Sequence, residues 1–229
     1  MRMHFRTNAF GRLAACGDWF IPTDDFNRNV NDVLKERDFL KFPAIFGNNN
    51  PVYLEIGCGQ GKFACETARR NPSINVLAVE KMSNVILTGV EEAAAEEIPN
   101  VRFMRAQAEC LPKYIPSGSI EKIILNFSTP LPKKGYAKQR LTSDRFLSIY
   151  ADLLGENGAI EQKTDDRDFY LFSVERLEAN GFIVIERSEN LHANGEVGII
   201  TEYERKFISL GLPIYRLKAV KKGEEKCIR

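Results

Sequence analysis

Residues 52–63, VYLEIGCGQGKF, decide the fold. Val52, Leu54 and Ile56 alternate with Tyr53 and Glu55, as in a buried strand. Gly57, Gly59 and Gly61 break that alternation, and Phe63 opens a helical one. The stretch therefore predicts a strand, a tight glycine turn and a helix start. Lacking a Cβ, glycine reaches φ > 0 and lets a ligand approach the backbone. The first amides of the helix would point into the turn with partial positive charge. A dinucleotide fingerprint needs G-x-G-x-x-G, and counted from Gly57 its third glycine falls on Lys62. Instead, Glu55 stands two residues before the first glycine, giving E-x-G-x-G-x-G. A carboxylate there would sit badly beside a pyrophosphate.

Working outward, strands and helices alternate at a steady pace. Residues 74–79 read as a second strand ending at Glu80, 101–104 as a third and 121–127 as a fourth. Residues 158–163, 182–185 and 213–220 complete the set. Helices are expected over 31–42, 62–70, 82–97, 142–154 with Thr142 as N-cap, and 166–180 stopped by Gly181. This order predicts an α/β fold: a Rossmann-like, doubly wound, mostly parallel seven-stranded sheet. Ligands in such folds lie at the carboxyl ends of the strands, near the switch point. Glu55, Glu80, Gln107, Asn126 and Asp165 all fall at such ends. The expected organisation is an extension over 1–45, a main domain over 46–220 and a tail over 221–229. Arg2, Arg6 and Arg12 make the irregular start, residues 1–30, either a loose tail or a working arm.

Composition narrows the function classes. At 229 residues, 44% hydrophobic and 28% charged, the chain suits one globular domain. No apolar run nears the ~18 residues of a membrane span, and the start lacks a signal-peptide core. Five scattered cysteines without a C-x-x-C suggest neither zinc nor disulfides, so no metal and a cytoplasmic location are expected. Two histidines leave little for histidine catalysis. A net charge of +1 is low for a protein that binds only nucleic-acid backbone, so any such surface must be local. One stretch qualifies: Lys133, Lys134, Lys138, Arg140 and Arg145 face a single acid, Asp144. It is either a solvated loop or a phosphate-gripping one.

Individual residues carry chemistry. Glu80 lies 23 residues after Gly57, where an acidic residue of nucleotide-binding α/β units takes ribose hydroxyls; otherwise it is a strand-end surface residue. Gln107 and Ala108 follow the third strand, and the Gln107 amide can donate to and accept from an adenine edge, or simply face water. Asp165 is either a site carboxylate or the N-cap of the helix after it.

E-x-G-x-G-x-G resembles the first motif of S-adenosylmethionine-dependent methyltransferases. More specifically, FGNNNP (46–51), LEIGCGQGKF (54–63), LNFSTPLPKK (125–134), RLTSDRFLSIYADLL (140–154), KTDDRDFY (163–170), ITEYERKF (200–207) and GLPIYRL (211–217) together resemble the bacterial tRNA (guanine-N(7)-)-methyltransferases, in the same order. The resemblance implies a class I methyltransferase acting on N7 of a guanine in tRNA, as a monomer or homodimer. It implies S-adenosylmethionine at Glu55, Gly57 and Glu80, and the fold reading adds Gly59, Gln107, Ala108 and Asn126 to the cofactor side. It places Lys133, Asp165, Thr201 and Glu204 on the RNA side, and the basic loop adds Lys134. The chain departs from the family where Asp-Pro-Trp-Pro becomes Thr129-Pro130-Leu131-Pro132, and where Gln107 replaces an acidic or Asn residue. No catalytic residue is assigned to Thr129. Two other readings stay open, an RNA-binding relative with weak or no activity and a methyltransferase for another substrate.

Overall fold

The computed structural model describes residues 8–222. Its helices are α1 (Ala9–Ala15), α2 (Val30–Val33), α3 (Phe42–Phe46), α4 (Lys62–Arg70), α5 (Ser83–Ala95), α6 (Leu111–Tyr114), α7 (Asp144–Leu153), α8 (Arg167–Ala179) and α9 (Glu202–Ser209). Its strands are β1 (Phe20–Ile21), β2 (Val52–Ile56), β3 (Asn75–Glu80), β4 (Val101–Arg105), β5 (Ile120–Asn126), β6 (Leu154–Thr164), β7 (Phe182–Ser188) and β8 (Tyr215–Lys221). They form one sheet in the order β1-β4-β3-β2-β5-β6-β8-β7. All neighbours run parallel except β8, which is antiparallel to both β6 and β7.

Strand alternation sorts the core into two layers. Val52, Leu54 and Ile56 of β2, with Leu77 and Val79 of β3, face a layer that includes Phe146, Leu147 and Tyr150 of α7 and Val174 and Leu177 of α8. Val76 and Ala78 face the other layer, with Ala64, Cys65 and Ala68 of α4 and Ile86, Leu87 and Val90 of α5. The chain leaves β2 towards β3 on one side, and β5 flanks it on the other. The strand order therefore reverses beside the carboxyl end of β2, the place where folds of this type hold their ligands. Gly61 and Gly89 let α4 and α5 meet there. A Cβ on Gly61 would stand 2.5 Å from the Phe103 ring and 3.0 Å from the Gly89 Cα.

Three expectations are corrected and one open alternative, for Asp165, is closed. The sheet has eight strands rather than seven, because Phe20–Ile21 pairs with Phe103 and Met104 at the β4 edge. The single helix expected over 31–42 is two short ones, α2 and α3. Between them the Asp38 and Leu40 amides donate to the Lys113 and Tyr114 carbonyls, which holds the chain extended. Thr142 does not cap α7; Ser143 takes the N-cap position, and the buried Thr142 hydroxyl bonds Ser173 at 2.8 Å. Asp165 does not cap α8; the Asp166 side chain accepts from the Phe169 amide. Arg2, Arg6 and the tail beyond Lys222 lie outside the described residues. Among those described, no helix is long and apolar enough to cross a membrane, and no cluster of three or more His, Cys, Asp or Glu residues is arranged to hold a metal.

Candidate active site

The glycine turn is built by positive φ at all three glycines, 76° at Gly57, 57° at Gly59 and 76° at Gly61. Backbone of this hand costs other residues strain and suits glycine. The Gly57 and Cys58 amides donate to the Val79 carbonyl, tying the turn to the end of β3. No atom lies within 4 Å of where a Cβ on Gly57 or Gly59 would stand, so the cradle is open on that side. Glu80 completes it: one carboxylate oxygen accepts from the Gly59 amide at 3.3 Å and the other from the Met82 amide at 3.0 Å. Each oxygen keeps a lone pair for a further donor.

Glu55 sits at the floor, only 2% exposed. The Asn126 amide donates to its Oε1 at 3.0 Å, while Oε2 has no partner. Burial pushes its carboxyl up to about 8, against the smaller opposing effects of Asn126 and the nearby Lys163 charge. The group is therefore poised for a cation that would supply the missing donor.

Gln107 and Ala108 follow β4, both half-buried. The Gln107 backbone N–H donates to the Asp25 carboxylate at 2.9 Å, so the segment preceding β2 grips this loop. Phe26 stacks its ring on Arg105, 4.0 Å from the guanidinium. Beside Glu80 a groove of about 390 Å³ runs between Phe10, Phe26 and residues 81–84.

The other side of the crevice is made by the ends of β5 and β6 and by α9. The Lys163 ammonium donates to Glu204 at 2.9 Å and to the Ile199 carbonyl at 3.1 Å. Glu204 is fully buried; its Oε1 also meets His192 Nε2 at 3.2 Å, and its Oε2 accepts from the Thr201 amide at 2.9 Å. The Thr201 hydroxyl in turn accepts from the Glu204 amide, closing a capping box at the start of α9. The Asp165 carboxylate stands 3.5 Å from the Tyr203 hydroxyl. Lys163 also lies 5.8 Å from the Phe63 ring centroid, which joins this corner to the first turn of α4.

The loop after β5 is exposed at Thr129, between two left-handed non-glycine residues, Phe127 and Leu131 (φ 50° and 46°). Lys133, Lys134 and Lys138 are exposed. Arg140 is not part of that open set: its guanidinium donates to the Leu131 carbonyl and lies 4.4 Å from the Phe172 ring centroid. Arg145 is drawn to Glu109 at 3.5 Å.

Thus Asn126 is bonded to Glu55 and Gly59 to Glu80, with Gly57 tied to Val79 between them, and Asp165, Thr201 and Glu204 gather at the α9 corner. Gln107 and Ala108 stand on the loop gripped by Asp25, and Lys133 and Lys134 on the outer loop. Sequence reasoning missed Lys163, His192 and Asp25. Lys163 was in view as the first residue of KTDDRDFY; nothing local to Asp25 or His192 marks them.

A mostly parallel sheet with its last strand reversed between β6 and β7, and a ligand turn of this kind after the central strand, belongs to the class I methyltransferases. The solved 16S rRNA methyltransferase KamB superposes with a TM-score of 0.62 over 81% of this chain and 95% of its own, at 17% identity. The precorrin-6y C5,15-methyltransferase of Geobacter metallireducens GS-15 does so at 0.51 over 84% and 85%, also at 17% identity. At such identities the likeness speaks for the fold alone. A family model described as "Putative methyltransferase" matches residues 49–217. The tRNA (guanine-N(7)-)-methyltransferase of Lachnoclostridium phytofermentans is 40% identical over 186 residues, 80% of this chain and 87% of its own. That of Geobacillus thermodenitrificans is 34% identical over 226 residues, 98% and 100%. The chain belongs to the tRNA (guanine-N(7)-)-methyltransferase family. The cofactor is S-adenosylmethionine, and the site fits it: the unpartnered Glu55 Oε2 suits its ammonium, the open glycine cradle its close approach, and the fixed Glu80 carboxylate its ribose.

Proposed function

We propose that the protein transfers the methyl group of S-adenosylmethionine to N7 of a guanine in tRNA. The observation that carries this is the buried, half-partnered Glu55 carboxyl, set in the same crevice as the Asp165–Tyr203–Lys163 corner. The cofactor supplies an electrophilic methyl group on a sulfonium. Guanine N7 offers a lone pair and carries no proton, so no general base is required. What the chain must do is align acceptor and donor and exclude wrong geometries.

Glu55, steadied by Asn126, takes the ammonium, Glu80 the ribose, and the Gln107–Ala108 loop the adenine. Methylation would leave the base positively charged, and the Asp165 carboxylate would favour that charge while facing the base's N–H edge. Both Glu204 oxygens are already engaged. Its part on the substrate side, with Thr201, is to fix Lys163 and the first turn of α9. Lys133 and Lys134 reach for phosphates. Residues 46–220 form the catalytic domain, and residues 1–45 an extension in which Asp25 steadies the cofactor loop. The enzyme works in the cytoplasm as a monomer or homodimer.

One observation favours a second reading, an RNA binder without transfer: Thr129 is exposed and carries no acid into the crevice. Incubation with methyl-labelled cofactor and unmodified tRNA, ribosomal RNA fragments or protein separates the readings. Label entering tRNA supports the first. Cofactor and tRNA binding without transfer supports the second. Label entering only another acceptor removes both.

A further inference from the structure

The geometry points to a stacking wall for the target base, made by Phe127 and Tyr203 and resting on the methyl-transfer reading above. Phe127 directly follows Asn126, the residue that holds Glu55, and its backbone amide donates to the Lys163 carbonyl. Its φ of 50° is a strained conformation for a phenylalanine. Such strain persists only where the surroundings impose it, and it clusters at functional sites. Its ring lies with its centroid 4.8 Å from that of Tyr203 and the planes at 51°. Phe207 braces Tyr203 from another side at 4.9 Å. Tyr203 nevertheless remains 46% exposed.

An exposed aromatic ring held on two sides loses little freedom when a flat partner stacks on it. Every base has a π-face, so such rings take unpaired bases of any sequence. Asp165 specifies more. Its carboxylate stands beside the Tyr203 hydroxyl, so a purine stacked at this wall presents its N–H edge to an acceptor. The ring pair thus supplies the binding that replaces the lost RNA stack when the base turns out, and it positions N7 without touching the methyl group.

The test uses the full chain and tRNA carrying 2-aminopurine at the methylated position, with unmodified tRNA for turnover. Tyr203→Leu, Phe127→Leu and Tyr203→Phe are compared with wild type. Tyr203→Leu and Phe127→Leu are expected to lower kcat/KM for tRNA by about tenfold or more, in keeping with the measured value of base–aromatic stacking. They should also abolish the fluorescence change of base extrusion, while the cofactor Kd stays within about twofold and shows the fold intact. Tyr203→Phe, which keeps the ring, should retain most activity. An active wild type with leucine variants indistinguishable from it overturns the wall, as does Tyr203→Phe failing as badly as Tyr203→Leu. A wild type that methylates no tRNA fails the underlying reading and removes the wall with it.

Discussion

A carboxyl group as buried as Glu55, with one oxygen unpartnered, destabilises the empty protein. Its ionisation lies near 8 in the fold and near 4.5 in the unfolded chain. The folded protein therefore holds the proton across that window while the unfolded chain releases it. The contribution of Glu55 to stability is therefore most favourable below about 4.5 and falls as pH rises towards 8, by about 1.4 kcal/mol per pH unit. Glu55→Gln keeps the shape and removes this penalty. Thermal melting of the cofactor-free variant should run above wild type at pH 8 and converge with it near pH 4.5. Calorimetry should at the same time show its cofactor affinity largely lost; a variant that binds normally takes Glu55 out of the site. Glu80→Ala should weaken cofactor binding by roughly 1–3 kcal/mol, since ribose donors and two backbone amides lose their acceptor. At this scale the sequence was informative about which residues matter and silent about how. The T-x-x-E spacing of Thr201 and Glu204 is a capping-box signature, but no helix is expected after it and the structure reveals the box. That Glu204 also buries a charge against Lys163 and His192 depends on a loop folding back between residues 189 and 200, which no local pattern encodes.

Among the elements, the loop after β5 divides its basic residues by task. Lys133, Lys134 and Lys138 are exposed, whereas Arg140 packs on Phe172 and the Leu131 carbonyl. Replacing any one of the three lysines with alanine should weaken binding of different tRNAs alike. Each should flatten the salt dependence by about one unit of log–log slope per lost phosphate contact. Filter binding across salt concentrations reads this, and unchanged slopes in all three variants would make the loop a solvated surface. Arg140→Ala should behave differently: amide exchange of residues 131–140 should speed up, because a carbonyl partner and a ring contact are both removed. Equal exchange in wild type and variant would contradict that assignment. Elements with an apolar period, such as β2, β4 and β5, were legible because their own side chains make the core. Phe20–Ile21 was not, since two residues carry no period and only the β4 edge makes them a strand. The break between α2 and α3 was hidden for a similar reason: backbone bonds to Lys113 and Tyr114 override a helical pattern.

Over the whole molecule, the sheet order brings two chemistries to one crevice. The β2–β3 side carries the glycine cradle and Glu80, and the β5–β6 side carries Asn126, Lys163 and Asp165. The segment preceding β2 adds a third contribution, with Asp25 gripping the Gln107 loop across the β4 edge. A reaction that needs alignment rather than proton transfer suits this division. The most direct measurement follows from that. Purified protein is incubated with methyl-labelled S-adenosylmethionine and unmodified tRNA, and the RNA is digested to nucleosides and separated. The account predicts label in 7-methylguanosine for wild type and its loss in Glu55→Gln. Label in any other nucleoside, or none with wild type that binds both cofactor and tRNA, would contradict it.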